Sequence, residues 1–257
     1  MNETILKEIE KANNVLFQFS GGKDSQLALE YTLPTIKELD KEYKACFVDT
    51  GAEFPSVLFH VINYTKKNRI PLKIIHSNNI VEDFYNNGVF PHPIYQDCKH
   101  RFINEPFNKY ALKNKSLIIA GGRNNQRHGN TKNQMIKTLK DGKLCLLNPL
   151  YDVDKRTYQK MVSETELWCG YKKGFVRTAC WCCPFQKKEQ WKAMKIHCPE
   201  LWSQMKNLVE RLEVIALTDR KGRGTCFSRI RQYWKNQYDV DLNVNYSVIP
   251  EQRRLSI

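Results

Sequence analysis

No stretch of this sequence approaches the run of about 18 apolar residues that a membrane-spanning helix needs. Charged residues alternate through residues 1–11 and leave no apolar core there, so a secretory signal peptide is not expected. The chain also lacks internal repeats and low-complexity segments. These absences favour a globular cytoplasmic protein, and a hydrophobic content of 41% is sufficient for a folded core.

The cysteine count also argues against a set of disulfide bonds, which would pair an even number of cysteines. The chain has nine cysteines, and cytosolic proteins rarely keep structural disulfides. Five of the nine lie between residues 169 and 198, and this clustering indicates metal binding or redox chemistry. Cys46 and Cys145 lie in apolar stretches, where we expect them to be small core residues.

Acidic residues are in short supply, and the shortage is uneven. The chain has 41 Lys and Arg against 27 Asp and Glu, a formal net charge of +14. Residues 1–96 contain 10 basic and 12 acidic residues, so the whole basic excess lies after residue 96. A basic excess confined to one part of the chain favours a polyanionic partner over a general contribution to solubility.

The most informative stretch runs from Val15 to Ser25, where an apolar segment is followed by Ser-Gly-Gly-Lys-Asp-Ser. The apolar residues predict a buried strand, and the residues after the glycines predict a helix capped by Asp24 or Ser25. Glycines let backbone N–H groups approach an oxyanion, while the helix N-terminus and Lys23 favour negative charge. The stretch therefore predicts an anion-binding loop, although the Walker A spacing is absent.

Apolar strands alternate with helical segments over most of the chain. The predicted strands are residues 15–19, 43–49, 72–76, 117–120 and 144–147. The predicted helices are residues 25–40, 56–68, 103–112, 154–167, 186–196 and 199–216, with Pro34 expected to kink or split the first. This alternation predicts an α/β fold with a doubly wound, mostly parallel sheet. We expect an α/β domain over residues 1–166 and a cysteine-rich, basic helical subdomain over residues 167–257.

In their order along the chain, the motifs resemble those of the PP-loop ATP pyrophosphatase (adenine nucleotide α-hydrolase) superfamily. The resemblance is closest to the phosphoadenosine-phosphosulfate-reductase-like branch, which includes the ATP-pyrophosphatase components of DNA phosphorothioation systems. The matching stretches are residues 20–25, Asp49-Thr50-Gly51, Cys98-Lys99-His100-Arg101, Gly121-Gly122-Arg123 with Gln126, Asn148-Pro149-Leu150, Gly174-Phe175 and Cys180-Trp181-Cys182-Cys183-Pro184. The agreement extends from residue 15 to about residue 215.

The resemblance implies that ATP, accompanied by Mg²⁺, is cleaved between its α and β phosphates. The nucleotide-binding residues that it implies are Ser20, Gly21, Gly22, Lys23, Asp24, Ser25, Asp49, Thr50, Gly122 and Arg123. Lys23, Asp49 and Arg123 are the implied catalytic residues. Lys23 holds the β and γ phosphates, Asp49 and Thr50 lie near the ribose or the α-phosphate, and Arg123 neutralises transition-state charge. Asp24 either caps the helix or approaches the Mg²⁺ ion.

The spacing of Cys180 and Cys183 lets two thiolates from one turn share a metal ion. Cys98 and Cys198 complete a predicted set of four ligands, which suits a [4Fe–4S] cluster. A structural Zn²⁺ ion is the alternative, since spacing alone does not separate the two. Cys169 competes with Cys198 as the fourth ligand, and if Cys169 ligates then Cys98 is left to carry a persulfide.

Basic and aromatic side chains are interleaved towards the end of the sequence. The predicted nucleic-acid-binding residues are Lys221, Arg223, Arg229 and Arg231, close to Tyr233 and Trp234. Such a mixture suits phosphate contacts combined with base stacking, with a solvated helix face as an equally weighted alternative. DNA is favoured over tRNA as the nucleic acid.

Three functions stay open on the sequence alone. The first is an adenylating sulfurtransferase that acts on nucleic acid, with a cysteine desulfurase as sulfur donor; a homodimer is compatible with the sequence. The second is a sulfonucleotide reductase, which the absence of a cysteine after Cys226 disfavours. The third is a non-catalytic subunit that senses nucleotides and binds nucleic acid.

Overall fold

The computed structural model describes residues 2–87, 97–124, 127–128, 131–140, 142–183, 186–211, 214–215 and 244–245. Contacts divide the chain into two units, each made of separate segments. The first unit comprises Met1–Asp49, Phe54–His76 and Glu105–Lys172, and the second comprises Thr50–Glu53, Ser77–Asn104 and Lys173–Ile257. The boundary predicted at residue 166 therefore lies inside the last segment of the first unit.

A six-stranded sheet forms the centre of the first unit. The strands along the chain are β1 (Asn14–Gln18), β2 (Glu42–Asp49), β3 (Leu72–His76), β4 (Leu117–Ile119), β5 (Arg127–His128), β6 (Thr131–Lys132), β7 (Ile136–Leu139), β8 (Leu144–Leu147), β9 (Val214–Ile215) and β10 (Val244–Asn245). The sheet order is β3-β2-β1-β4-β8-β7, and only the edge pair β7–β8 is antiparallel. The predicted α/β fold with a mostly parallel sheet is confirmed.

The central strands are buried because their sequences are continuously apolar. Val15, Leu16 and Phe17 of β1 are at most 1% exposed, and every residue of β4 is buried as well. Strands covered on both faces are typical of parallel sheets, whose crossover helices lie on either side. Phe107 packs with Leu16 and other strand residues in one core cluster.

Helices surround this sheet in the first unit and make up most of the described part of the second. They are α1 (Glu3–Lys11), α2 (Lys23–Glu38), α3 (Pro55–Lys67), α4 (Ile80–Asn87), α5 (Asp97–Lys99), a π-helical turn (His100–Asn104), α6 (Glu105–Lys113), α7 (Lys155–Glu164), a 3₁₀ turn (Cys169–Lys173), α8 (Lys188–His197) and α9 (Pro199–Arg211). In the part of the chain that the structure covers, no helix is long and apolar enough to cross a membrane.

Helix α2 differs from the sequence prediction at two points. It begins at Lys23 with Gly22 as its N-cap and no side-chain capping bond, so the prediction of Asp24 or Ser25 as the cap was wrong. It also continues through Pro34, which does not split it. Leu29 and Ile36, on either side of that proline, are fully buried. Their burial stabilises the helix by about 2 kcal/mol each, which offsets the cost of about 3 kcal/mol for an internal proline.

The second unit contains α8 and α9, which pack against each other. The buried side chains of α8 include Trp191 and Met194, and those of α9 include Trp202, Met205 and Leu208. Both helices were predicted from the sequence, and α9 ends five residues earlier than predicted, at Arg211. Helix α9 therefore ends before Arg220 and Lys221, which lie outside the described residues.

Candidate nucleotide and thiol sites

The loop after β1 makes a tight turn into the N-terminus of α2. Gly21 adopts the left-handed conformation with φ +69°, and a Cβ atom there would lie 2.9 Å from the Val61 side chain. Only glycine fits both the conformation and the space. The turn brings successive backbone N–H groups to a helix N-terminus, where the helix dipole favours an anion.

Hydrogen bonds within this loop hold it in shape. The Ser25 hydroxyl donates to the Gly22 carbonyl at 2.8 Å and accepts from the Ser20 N–H at 3.3 Å. The two serine hydroxyls are also within 3.1 Å of each other. Ser20 and Ser25 therefore brace the loop.

The loop after β4 lies directly against the start of α2. A Cβ atom on Gly121 would be 2.4 Å from the Asp24 carbonyl carbon, so only glycine allows the two backbones to approach. The Gly122 N–H donates to the Asn148 side chain at 2.9 Å, and the Asn148 amide donates to the Gln134 carbonyl at 2.6 Å. β1 and β4 are neighbours where the strand order reverses direction, the position at which open α/β sheets bind ligands.

Arg123, Asp24 and Tyr158 form a compact group at this point. The Arg123 Nε lies 3.0 Å from Asp24 Oδ1, and the Tyr158 hydroxyl donates to the same oxygen at 2.6 Å. The Arg123 guanidinium also stacks 4.0 Å from the centre of the Tyr158 ring. Burial, reinforced by the bond to Asp24, raises the pKa of Tyr158, so its hydroxyl stays protonated and donates. The predicted arginine is thus held at the start of α2.

Lys23 has an aromatic neighbour at the same helix N-terminus. Its backbone N–H donates to the Tyr171 hydroxyl at 3.1 Å, and its Nζ lies 5.9 Å from the centre of that ring. Burial raises the pKa of Tyr171, so the phenol is neutral at physiological pH. The tyrosine therefore places the lysine ammonium beside the loop without neutralising its charge.

Of the two residues predicted near the ribose, Asp49 lies at the end of β2, with Oδ2 3.4 Å from His76 Nδ1. Thr50 belongs to the second unit and is fully buried. Its hydroxyl donates to Glu53 Oε1 at 2.7 Å, and its N–H donates to Oε2 at 3.0 Å. Thr50 therefore shapes the loop around Gly51, whose φ is +75°.

Three of the predicted cysteines lie near this loop in the second unit. The Trp181 N–H donates to the Ala52 carbonyl at 2.8 Å, which joins the cysteine segment to the loop. Burial raises the pKa of Cys180, and the charges of Glu53, Cys183 and Cys98 raise it further. The pKa of Cys182 is raised for the same first reason. Cys180 and Cys182 are therefore thiols rather than thiolates at neutral pH.

The predicted set of four metal ligands is not assembled. Over the residues that the structure describes, no three His, Cys, Asp or Glu side chains form a group that could hold a metal ion. Cys198 ends α8 as its C-cap, and the charged group that affects its pKa is Lys173 rather than another thiol. Cys183 instead accepts a hydrogen bond from Arg177 Nη2 at 3.7 Å.

Local sequence patterns predict only part of this site. Asn148 lies inside one matching stretch and Glu53 lies two residues after another, but no role is predicted for either side chain. Tyr158 and Tyr171 reach the loop from 134 and 148 residues away, and no local pattern marks such contacts. The predicted nucleic-acid residues Lys221, Arg223, Arg229 and Arg231 lie outside the described residues, as does Cys226.

Comparison with known families gives one match over most of the chain. The phosphoadenosine phosphosulfate reductase domain matches residues 14–186, well over half of the 257 residues. The match includes the loop at residues 20–25, the Gly121–Arg123 loop and Cys180 and Cys183.

Individual relatives are more distant. An uncharacterized protein of Methanocaldococcus jannaschii is 26% identical over 210 residues, which cover 76% of this chain and 41% of that protein. The chain thus spans about two fifths of the length of this curated relative. The phosphoadenylyl-sulfate reductase of Candida auris, a phosphate complex, has a TM-score of 0.51 at 15% identity, over 70% of this chain and 87% of that one. Candida glabrata FMN adenylyltransferase with FMN and an ATP analog has a TM-score of 0.49 at 18% identity, over 70% and 59%. The likeness to the reductase shows a shared fold.

Proposed function

Because the chain belongs to the phosphoadenosine phosphosulfate reductase domain family of the PP-loop superfamily, we propose that it is an ATP pyrophosphatase. In this proposal it adenylates an acceptor for sulfur insertion, and the acceptor is nucleic acid, as in DNA phosphorothioation. The observation that carries the proposal is the meeting of two loops at one helix N-terminus, where the Arg123 Nε is held 3.0 Å from Asp24. A lysine, an arginine and turn amides at one point suit a polyphosphate.

The proposed reaction has two displacement steps. An oxygen of the acceptor attacks the α-phosphorus of ATP, the bond to the bridging oxygen breaks, and pyrophosphate leaves. The terminal sulfur of a persulfide, supplied by a cysteine desulfurase, then attacks the adenylated phosphorus, and AMP leaves with the oxygen. A second thiol must cleave the remaining S–S bond, which leaves sulfur on the acceptor and a disulfide on the donor.

Each loop residue has a role in the first step. The loop amides and Lys23 hold the departing pyrophosphate, and Arg123 neutralises charge that builds up on the phosphates. Asp24 is the proposed contact to Mg²⁺. Its Oδ1 atom already pairs with Arg123 and accepts from Tyr158. Asp49 is the proposed contact to the ribose or the α-phosphate. Thr50 is assigned an indirect role, since its hydroxyl is already donated to Glu53.

The test is a measurement of pyrophosphate released from Mg·ATP, with and without DNA or tRNA. We expect release by the wild-type protein, with AMP as the second nucleotide product. Arg123→Lys keeps the charge but loses the planar group that stacks on Tyr158 while pairing with Asp24, so we expect a loss of about tenfold in kcat. Release of phosphate and ADP instead of pyrophosphate, or an unchanged rate in the variant, would contradict the assignment.

A metal group at the thiols is a separate prediction. The proposed ligands of a [4Fe–4S] cluster or a Zn²⁺ ion are Cys98, Cys180, Cys183 and Cys198, although these side chains form no metal-binding group in the described structure. No reaction step is assigned to such a group. Protein purified without oxygen is expected to contain about four irons per chain if the cluster forms, or one zinc if it does not. If elemental analysis finds neither iron nor zinc in the purified protein, the metal is removed from the proposal.

A sulfonucleotide reductase is the second candidate, because the family that matches residues 14–186 is the phosphoadenosine phosphosulfate reductase domain. That reaction needs a thiolate to attack the sulfur of the nucleotide sulfate. The raised pKa values of Cys180 and Cys182 disfavour these two thiols as the nucleophile. Sulfite formation from phosphoadenosine phosphosulfate in the presence of a thiol reductant, without pyrophosphate release from ATP, would identify a reductase.

A further inference from the structure

The outer side of α8 carries a stripe of three lysines. Lys188, Lys192 and Lys195 follow one another at four and three residues, a spacing that places them on one side of a helix. All three are exposed. Trp191 and Met194, on the other side, are 3% and 0% exposed. The stripe therefore points away from the side of α8 that packs in the second unit, and we call these residues the α8 lysine stripe.

A second basic segment is fixed to α8 through its backbone. The Gln190 side chain accepts from the N–H groups of Val176 and Arg177 at 2.9 and 3.3 Å and donates to the Arg177 carbonyl at 2.9 Å. The Gln190 side chain is fully buried, so its end of these bonds is protected from water. The Arg177 guanidinium in turn donates to Cys183 Sγ at 3.7 Å. The attachment of α8 to the thiol segment is therefore direct.

The charge of this region is strongly one-sided. Residues 173–198 contain six Lys and Arg residues and a single acidic one, Glu189. Ordinary helix surfaces mix both signs, whereas a cluster of one sign creates a potential that attracts oppositely charged partners. A polyanion is therefore the partner that this surface fits.

We propose that the α8 lysine stripe, together with Arg177, is a docking surface for the phosphate backbone of a nucleic acid. The stripe is about 10 Å long at 1.5 Å per residue. That length matches about three phosphates of one DNA strand, which follow one another every 3.4 Å along the axis. A bilayer fits less well, because an interfacial helix needs its apolar side for the lipid, and here that side is buried. The choice of nucleic acid as the partner rests on the proposed function. The proposal adds to that function a position for the acceptor backbone, beside the thiols.

The experiment is a titration of a fluorescently labelled DNA duplex with the full chain at several salt concentrations, in the absence of ATP. The variant is Lys188→Gln/Lys192→Gln/Lys195→Gln. Its matched control is Lys66→Gln/Lys109→Gln/Lys113→Gln, which removes the same charge from exposed positions on α3 and α6. Circular dichroism melting of both variants shows that they fold.

Three lost phosphate contacts are expected to flatten the log–log salt slope by about 2 to 3, with at least about tenfold weaker binding near 50 mM salt. The control is expected to change the slope by less than about 1. Equal changes of the salt slope in both variants would mean that net charge alone explains the binding, and this would overturn the proposal. A wild-type salt slope in the stripe variant would overturn it as well. Binding to phosphatidylglycerol vesicles without binding to the duplex would overturn it in favour of a membrane. Since no ATP is present, failure of the adenylation reaction leaves this measurement unaffected.

Discussion

Lys23→Ala is expected to lower the rate of pyrophosphate release by at least about 100-fold, the usual effect of removing one electrostatic contact to a developing charge. The lysine ammonium lies at the N-terminus of α2, beside the loop that would hold the departing pyrophosphate. The fold should be preserved, because the variant removes only a weak contact at 5.9 Å to the Tyr171 ring, worth about 0.5–1 kcal/mol. The measurement is a steady-state pyrophosphate assay paired with a thermal melt.

The control for this variant is Lys37→Ala, an exposed lysine in the last turn of the same helix. It removes the same charge from the same helix but lies at the opposite end of α2 from the loop. A wild-type rate is expected for this control. If Lys23→Ala released pyrophosphate as fast as Lys37→Ala, the loop would not be the pyrophosphate site.

Gly121→Ala is expected to destabilise the protein by about 3 kcal/mol, at the upper end of overpacking effects, and to abolish activity. The added Cβ atom would lie 2.4 and 2.5 Å from the carbonyl carbon and oxygen of Asp24 and 2.6 Å from the Ser25 nitrogen. All three are backbone atoms, so no side-chain rotation relieves the contact. The start of α2 must shift, and Asp24 then loses its alignment with Arg123. A thermal melt and the pyrophosphate assay measure the two effects.

Gly142→Ala is the matched control for this substitution. Gly142 has φ +86°, but a Cβ atom there would meet nothing within 4 Å. It is expected to cost only the strain of a left-handed alanine, about 1–2 kcal/mol, and to retain activity. Equal loss of activity in both variants would mean that a general loss of stability, rather than the contact between the two loops, explains the effect.

The sequence predicted the fold well wherever the signal was local. The strands at residues 72–76 and 144–147 have the predicted bounds, because short apolar runs bounded by polar residues leave little choice. β7 was not predicted, since Ile136–Leu139 is a short, half-exposed edge strand with polar residues at its centre. Edge strands are specified by their neighbour β8 more than by their own composition.

The glycines and charged residues of the site could be predicted from the sequence, but the residues that hold them in place could not. Gly21 and Lys23 belong to one short motif, so their placement follows from the local chain. Of the two roles predicted for Asp24, helix capping is wrong, because its side chain is taken by Arg123 and Tyr158 from distant parts of the chain. An aspartate at the start of a helix predicts a cap unless a long-range cation and phenol compete for it.

The sheet order has a consequence for the chain during its synthesis on the ribosome. β1 pairs on one side with β2 but on the other with β4, which begins at Leu117, about 100 residues after β1 ends. At a translation rate of about 5–20 residues per second, about 5–20 seconds pass between the synthesis of β1 and that of β4. During that interval Val15, Leu16 and Phe17 border an open strand edge, which is a template for aggregation. Nascent chains arrested before residue 117 are therefore expected to need a chaperone that longer nascent chains can do without.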